Sequence, residues 1–256
     1  MKNKIKLLSA SVALGASLMM GNASAITVAG VTWDENDSFD FSSQQSLFEN
    51  NVSGPGDTLT FYGIINEING RRGFCTGCRE LTFVGTYNVV EAGDFDGDGR
   101  VNVLFDSGIL NVYSDVNSNF NRDDSSTAND GTLFASLSGH TQTISIGGVD
   151  KTGDLFAELD SGLVLGGSND AGFGAGAWDI IGGAAKLFLD TNTRVDGSDF
   201  TYTTSFQPVT PDDSGTSLFG TAELKGDSQA VPEPSILALL GIGLLGFGTT
   251  RRKSVS

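Results

Sequence analysis

Three aspartates spaced two apart, Asp94, Asp96 and Asp98, are the residues of this chain best placed to do chemistry. In Asp94-Phe95-Asp96-Gly97-Asp98-Gly99-Arg100 the carboxylates fall at positions 1, 3 and 5 of a calcium loop, with glycine at 6 and a backbone carbonyl at 7. Position 12 is Phe105 where such loops supply a bidentate glutamate, Asp106 comes one residue late, and strand-forming residues follow in place of a helix. A plain Asp-Gly turn between strands accounts for the same residues. Both readings stand, and Ca²⁺ is the only cofactor the sequence suggests. A second oxygen-rich run, Asp115 to Asp124, lacks the glycine and reads as a loop.

Catalytic constellations are otherwise missing. The lone histidine, His140, lies in Ser138-Gly139-His140-Thr141 with no nucleophile motif beside it. Gly172-Phe173-Gly174-Ala175-Gly176 does not open a βαβ unit, so it is no dinucleotide fingerprint. Acid pairs for glycoside hydrolysis are too numerous to single out. The expectation is a protein that is not an enzyme.

Both ends of the chain address it out of the cytoplasm. Met1 to Lys6 is a basic n-region, Leu7 to Met20 an apolar h-region, and Ala23-Ser24-Ala25 a small-x-small site, so cleavage is expected after Ala25 and residues 1–25 form a signal peptide for the Sec machinery. At the other end, Val231-Pro232-Glu233-Pro234 precedes a small-residue-rich apolar run over 235–250, then Arg251-Arg252-Lys253. As a helix its 15 residues from Ile236 to Thr250 are roughly 22 Å long, short against a hydrocarbon core of ~30 Å. Its basic flank belongs on the cytoplasmic side.

Pro232-Glu233-Pro234, the apolar helix and the terminal basic cluster resemble the PEP-CTERM sorting signal of Gram-negative bacteria. That resemblance implies processing near the tripeptide by an exosortase, a membrane intermediate held by the helix, and a host that makes extracellular polysaccharide. Gly73 to Val84, Trp178 to Thr193 and Val31-Thr32-Trp33-Asp34 are similar to segments of flocculation-associated PEP-CTERM proteins. They imply a surface or matrix protein whose partner is exopolysaccharide or the cell envelope, and they carry no catalytic motif.

Between the ends, residues 26–224 form the β-rich domain, 225–230 a polar linker and 231–256 the sorting signal. Residues 26–230 hold nine of the fifteen basic residues against thirty of the thirty-one acids, a net charge of −21. Such a surface excludes nucleic acid held by phosphate neutralisation and suits solubility or cation binding. Cys75 and Cys78 are the only cysteines, so no zinc site of sulfur and imidazole can be assembled. In an exported protein they read as a local disulfide pinning a tight loop.

The elements that must position these residues are strands. Short Val/Ile/Thr/Phe/Tyr runs bounded by Gly, Asp and Asn recur throughout: Thr58 to Ile65, Glu80 to Val89, Val101 to Phe105, Leu110 to Tyr113, Thr143 to Ile146, Leu155 to Leu159, Lys186 to Leu189, Asp199 to Phe206 and Ser217 to Leu224. Gln44 to Asn51 is the only stretch that reads as helix. The fold class expected is all-β, an antiparallel sandwich-like domain. Trp33 and Trp178 are candidate exposed aromatics for a Ca²⁺-dependent carbohydrate-binding module, the alternative to a matrix protein; a secreted polysaccharide hydrolase comes third.

Overall fold

The computed structural model describes residues 25–35, 39–160, 171–210 and 216–229. The signal segment through residue 24, the tripeptide and the apolar run 235–250 lie outside the described residues.

The described residues are mostly β, as their alternating runs require. In order come β1 (Ile26–Val28), β2 (Val31–Trp33), β3 (Phe41–Glu49), β4 (Thr58–Ile68), β5 (Glu80–Gly93), β6 (Asn102–Asp115), β7 (Thr132–Gly139), β8 (Gln142–Ile146), β9 (Val149–Gly153), β10 (Leu155–Leu159), β11 (Gly172–Gly182), β12 (Phe200–Pro208) and β13 (Leu218–Gly226). One four-residue helix, α1 (Lys186–Leu189), follows β11.

Nine strands form one antiparallel sheet in the order β10-β11-β12-β13-β3-β4-β5-β6-β7, and further pairings of β10 with β6 and β7 with β11 close it into a barrel. The last stave is composite. β7 covers the C-terminal parts of β6 and β11, whereas β10 covers their N-terminal parts. The β8–β9 hairpin leaves the wall between these two half-staves. At the break Asp154 is buried, accepting from the Gly108 N–H at 3.1 Å and the Thr141 hydroxyl at 2.7 Å.

The two-residue period decides what lies inside. Phe61, Phe83, Tyr87, Phe105, Trp178 and Phe200 fill the interior. Glycine makes room where rings cross strands: a Cβ on Gly85 would meet Phe61 at 2.3 Å, and one on Gly108 would meet Tyr87 at 2.4 Å. One end is plugged by the β1–β2 hairpin, whose Trp33 ring packs edge-on against Phe41, Phe134 and Phe188 at 5.8–6.2 Å. Ala29 and Gly30 turn that hairpin with φ of 48° and 82°, both positive as a tight two-residue turn demands. Inside-apolar, outside-polar alternation is the inverse of a transmembrane barrel.

The all-β antiparallel expectation is met, with one continuous closed sheet supplying both layers. Three local readings are corrected. Gln44 to Asn51 is not a helix: residues through Glu49 belong to β3, which pairs with β13 over its whole length. Its polar inward residues Ser43, Gln45 and Glu49 hide the strand period. Lys186 to Leu189 is not a strand but the single turn α1, with Leu189 inward and Leu187 exposed. Val101 to Phe105 and Leu110 to Tyr113 are parts of one long strand, β6. At the C-terminal end β13 runs to Gly226, and the Ser228 N–H donates to Asp40 at 2.9 Å while the Gln229 N–H donates to the Phe188 carbonyl at 2.8 Å. The start of the stretch read as linker is therefore docked on the barrel.

Candidate functional site

Asp94, Asp96 and Asp98 meet. Carboxylate oxygens of all three lie within 4.8 Å of one another on the exposed β5–β6 turn, the only such acidic or metal-ligating group among the described residues. The turn is built by its own side chains: Asp94 accepts from the Gly97 and Gly99 N–H groups at 2.7 and 3.1 Å, and Asp98 from the Arg100 N–H at 2.8 Å. Gly97 and Gly99 take φ of 76° and 87°. The β8–β9 hairpin tip rests on this turn, its Gly147 so near Asp96 that a Cβ there would come within 2.6 Å. Arg100, ion-paired with Glu158, stands 3.7 Å from the Asp98 carboxylate. It supplies one positive charge where a cation would bind.

The second oxygen-rich run does not gather. The Asn119 and Phe120 N–H groups donate to Glu80, Asp115 accepts from the Asn117 N–H, and Asp124 caps the 3₁₀ turn Ser125–Ala128. Glu80 is itself buried, and desolvation raises its pKa against those two backbone donors. The run carries a loop over an outer aromatic cluster of Phe48, Tyr62, Phe120 and Phe219.

His140 lies at the stave break. Its Nδ1 is 2.8 Å from the Asp179 carboxylate and its Nε2 3.1 Å from the Asp196 carbonyl. Partial burial works to lower the imidazole pKa, but the hydrogen bond and charge of Asp179 outweigh it and the net shift is upward. With both nitrogens engaged, the ring bridges β11 and the loop that precedes β12.

Cys75 and Cys78 form a disulfide in the β4–β5 connection. The loop it pins receives the β1–β2 turn, since the Thr76 and Gly77 N–H groups donate to the Gly30 carbonyl at 2.9 and 3.0 Å. Ala25, at the expected cleavage point, directly precedes β1. Pro232, Glu233 and Pro234 lie outside the described residues.

Trp33 and Trp178, expected at the surface, are 3% and 0% exposed and belong to the core. Phe173 of β11 does face outward, 45% exposed and paired across the strands with Ser205. Ser205 in turn lines a polar groove of about 490 Å³ over β12, β13, β3 and β4, together with Gln44, Asn66, Thr203, Thr221 and Glu223 among others. Ser205 and Thr221 share a hydrogen bond at 3.2 Å, and both also line a neighbouring hollow beside Gly172 and Gln207. Outward Ser, Thr, Asn and Gln at alternate positions were the available sequence signal, but only the strand order puts them on one face.

These features define a water-facing antiparallel β-barrel with a hydroxyl- and amide-lined outer groove. Residues 230–253 match the PEP-CTERM protein-sorting motif. The chain therefore carries the signal of an exported protein that an exosortase processes at the membrane for surface display. No curated protein and no solved structure matches the chain. Among the described residues no helix is long and apolar enough to cross a membrane.

Proposed function

We propose that the mature barrel is a non-enzymatic surface or matrix protein that holds exopolysaccharide in its outer groove and so promotes floc or biofilm formation. The observation that carries this reading is the groove: side-chain donors and acceptors line it, and one of them, Ser205, is the cross-strand neighbour of the exposed Phe173. Sugars present the matching chemistry, hydroxyls at their rims and apolar C–H faces that pack on aromatic rings. Arg72 offsets part of the charge of Glu67 and Glu223, leaving the groove less anionic than a domain of net charge −21. The sorting motif supports a destination where such a partner is met.

Sedimentation of the exported protein with polysaccharide purified from its host tests the contact. Phe173→Ala combined with Thr221→Lys is expected to leave the protein folded and in the supernatant. Deletion of the gene tests the role, and unchanged aggregation and matrix retention would remove it.

A second reading, Ca²⁺-dependent binding, draws on the convergence of Asp94, Asp96 and Asp98. Calorimetry with CaCl₂ decides it: an absence of both binding heat and a melting shift eliminates the ion.

A further inference from the structure

The end of the barrel opposite the Trp33 plug holds a feature that polysaccharide contact does not use. Glu49, the last residue of β3, points inward and is 5% exposed. It lines a narrow cleft of about 40 Å³ whose other walls include Val52, Leu59, Val103, Leu155 and Leu218. Beside Glu49, the polar residues of the lining are Asn50, Asn51 and Thr204. Tyr202 of β12 and Tyr87 of β5 are the titratable groups facing Glu49 from within the barrel, with Asp154 beyond Tyr87. Tyr202 shares its hydroxyl with Thr204, which also lines the cleft. Burial alone acts on the Glu49 carboxyl, with no hydrogen bond to a described residue, and its oxygens face the cleft; the buried Tyr87 hydroxyl and Trp178 indole N–H are unpartnered.

A buried carboxyl without a donor is an exception in folded proteins, where such groups are paired with protein, water or ligand. What would complete this one is set by the walls. Calcium needs six or more oxygen ligands, and the cleft offers too few. An anion meets only a carboxyl. A guanidinium or an aromatic cation is too broad, because the space holds about three waters at ~10–15 Å³ each. A slender body with one cationic, donor-rich end remains.

We propose that this cleft is a binding site for a short unbranched primary amine, its ammonium group paired with the Glu49 carboxylate and its alkyl chain lying against Leu59, Leu155 and Leu218. The acidic surface of the barrel raises the local concentration of such cations at the mouth. Burial pushes the Glu49 pKa up to about 8 in the unoccupied protein. An arriving ammonium therefore displaces the carboxyl proton, which leaves to solvent: one proton out and one cation in, with no other bond changed. Below that pH, affinity rises with pH, toward tenfold per unit.

Calorimetry of the full exported protein with n-propylamine, in two buffers of different ionisation enthalpy, tests the site. The expected result is binding that releases close to one proton at pH 7 and almost none at pH 9.5. Glu49→Gln should weaken it by about 10- to 100-fold, the range for loss of a charged hydrogen bond. Leu159→Trp, placed in the cleft wall, should abolish binding while leaving Glu49 intact. Equal affinity for n-propanol and n-propylamine, each insensitive to Glu49→Gln, would overturn the proposal. So would silence toward the amine at millimolar concentration in a wild-type protein that Glu49→Gln merely stabilises; the cleft would then hold water only. Polysaccharide sedimentation is expected to be unchanged in both variants, so this site and the outer groove fail or succeed separately.

Discussion

Replacing Glu49 by Gln should stabilise this protein, and by an amount that grows with pH. In the unfolded chain the carboxyl ionises at its ordinary value of 4.5, whereas burial holds it protonated in the barrel up to about pH 8. Below pH 4.5 both states are protonated and burial costs nothing through ionisation. Between 4.5 and 8 the unfolded state binds fewer protons than the native one, so native stability falls as pH rises. The shift of roughly 3.5 units, at 1.36 kcal/mol each, sets a ceiling of about 5 kcal/mol lost above pH 8, of which about 3 is already lost at pH 7. A carboxamide of nearly the same shape does not titrate. The difference in unfolding free energy between Glu49→Gln and wild type should thus climb by ~1.4 kcal/mol per pH unit from 5 to 8 and then flatten. At ~2–4 °C per kcal/mol for a domain of this size, that is ~10–20 °C in melting temperature at pH 9. Urea denaturation of both proteins at pH 5, 7 and 9 measures it, the subtraction removing every other titrating group. A difference that stays constant with pH, or that reverses in favour of the carboxylate at pH 9, would refute the burial argument.

Other consequences are nearer to packing. Gly108→Ala drives a methyl into the Tyr87 ring and toward Trp178, and should cost about 1–3 kcal/mol of stability by denaturation. Cys75→Ser with Cys78→Ser opens a loop of only three-residue separation, so loop-closure entropy predicts a loss of about 2 kcal/mol or less, visible as a matching fall in melting temperature under oxidising conditions. His140 has a raised pKa through Asp179, so its contribution is full below the ordinary value of 6.5 and fades as pH rises through the raised one; His140→Gln should flatten stability across that window, as stepwise melting from pH 5.5 to 8.5 would show.

The strand pattern was legible wherever inward positions are apolar. Thr58 to Ile65 and Leu155 to Leu159 alternate because one side of each faces Phe and Leu. β3 escaped because Ser43, Gln45 and Glu49 point inward beside Phe41 and Leu47, a mixture that resembles a helical face. β11 escaped because Gly174 and Gly176 occupy inward positions that Leu155 fills from the next strand. A run of four apolar-rich residues such as Lys186 to Leu189 fits either period, and Gly183-Ala184-Ala185 before it decided for a helical turn. The aspartate turn was readable since all three carboxylates sit within five residues, so local geometry alone brings them together. Trp33 and Trp178 misled because size says nothing about side. Glu49 carried no local signal: its isolation is made by Leu59, Val103, Leu155 and Leu218, which come from four other strands.

The seam between β3 and β13 joins Phe41 to Gly226 and Glu49 to Leu218, so the first strand of the barrel wall cannot find its second partner until almost the whole chain has crossed the membrane. Until then both edges of a growing sheet stand open, ready to pair with any other extended chain. The strand that shuts them ends at Gly226, and the sorting motif begins at residue 230. At ~3.5 Å per residue the chain between them reaches only about 10 Å. Barrel closure thus waits on the strand next to the motif that an exosortase processes at the membrane. An exosortase that severs the chain early would release an open sheet, and one that waits would release a sealed barrel.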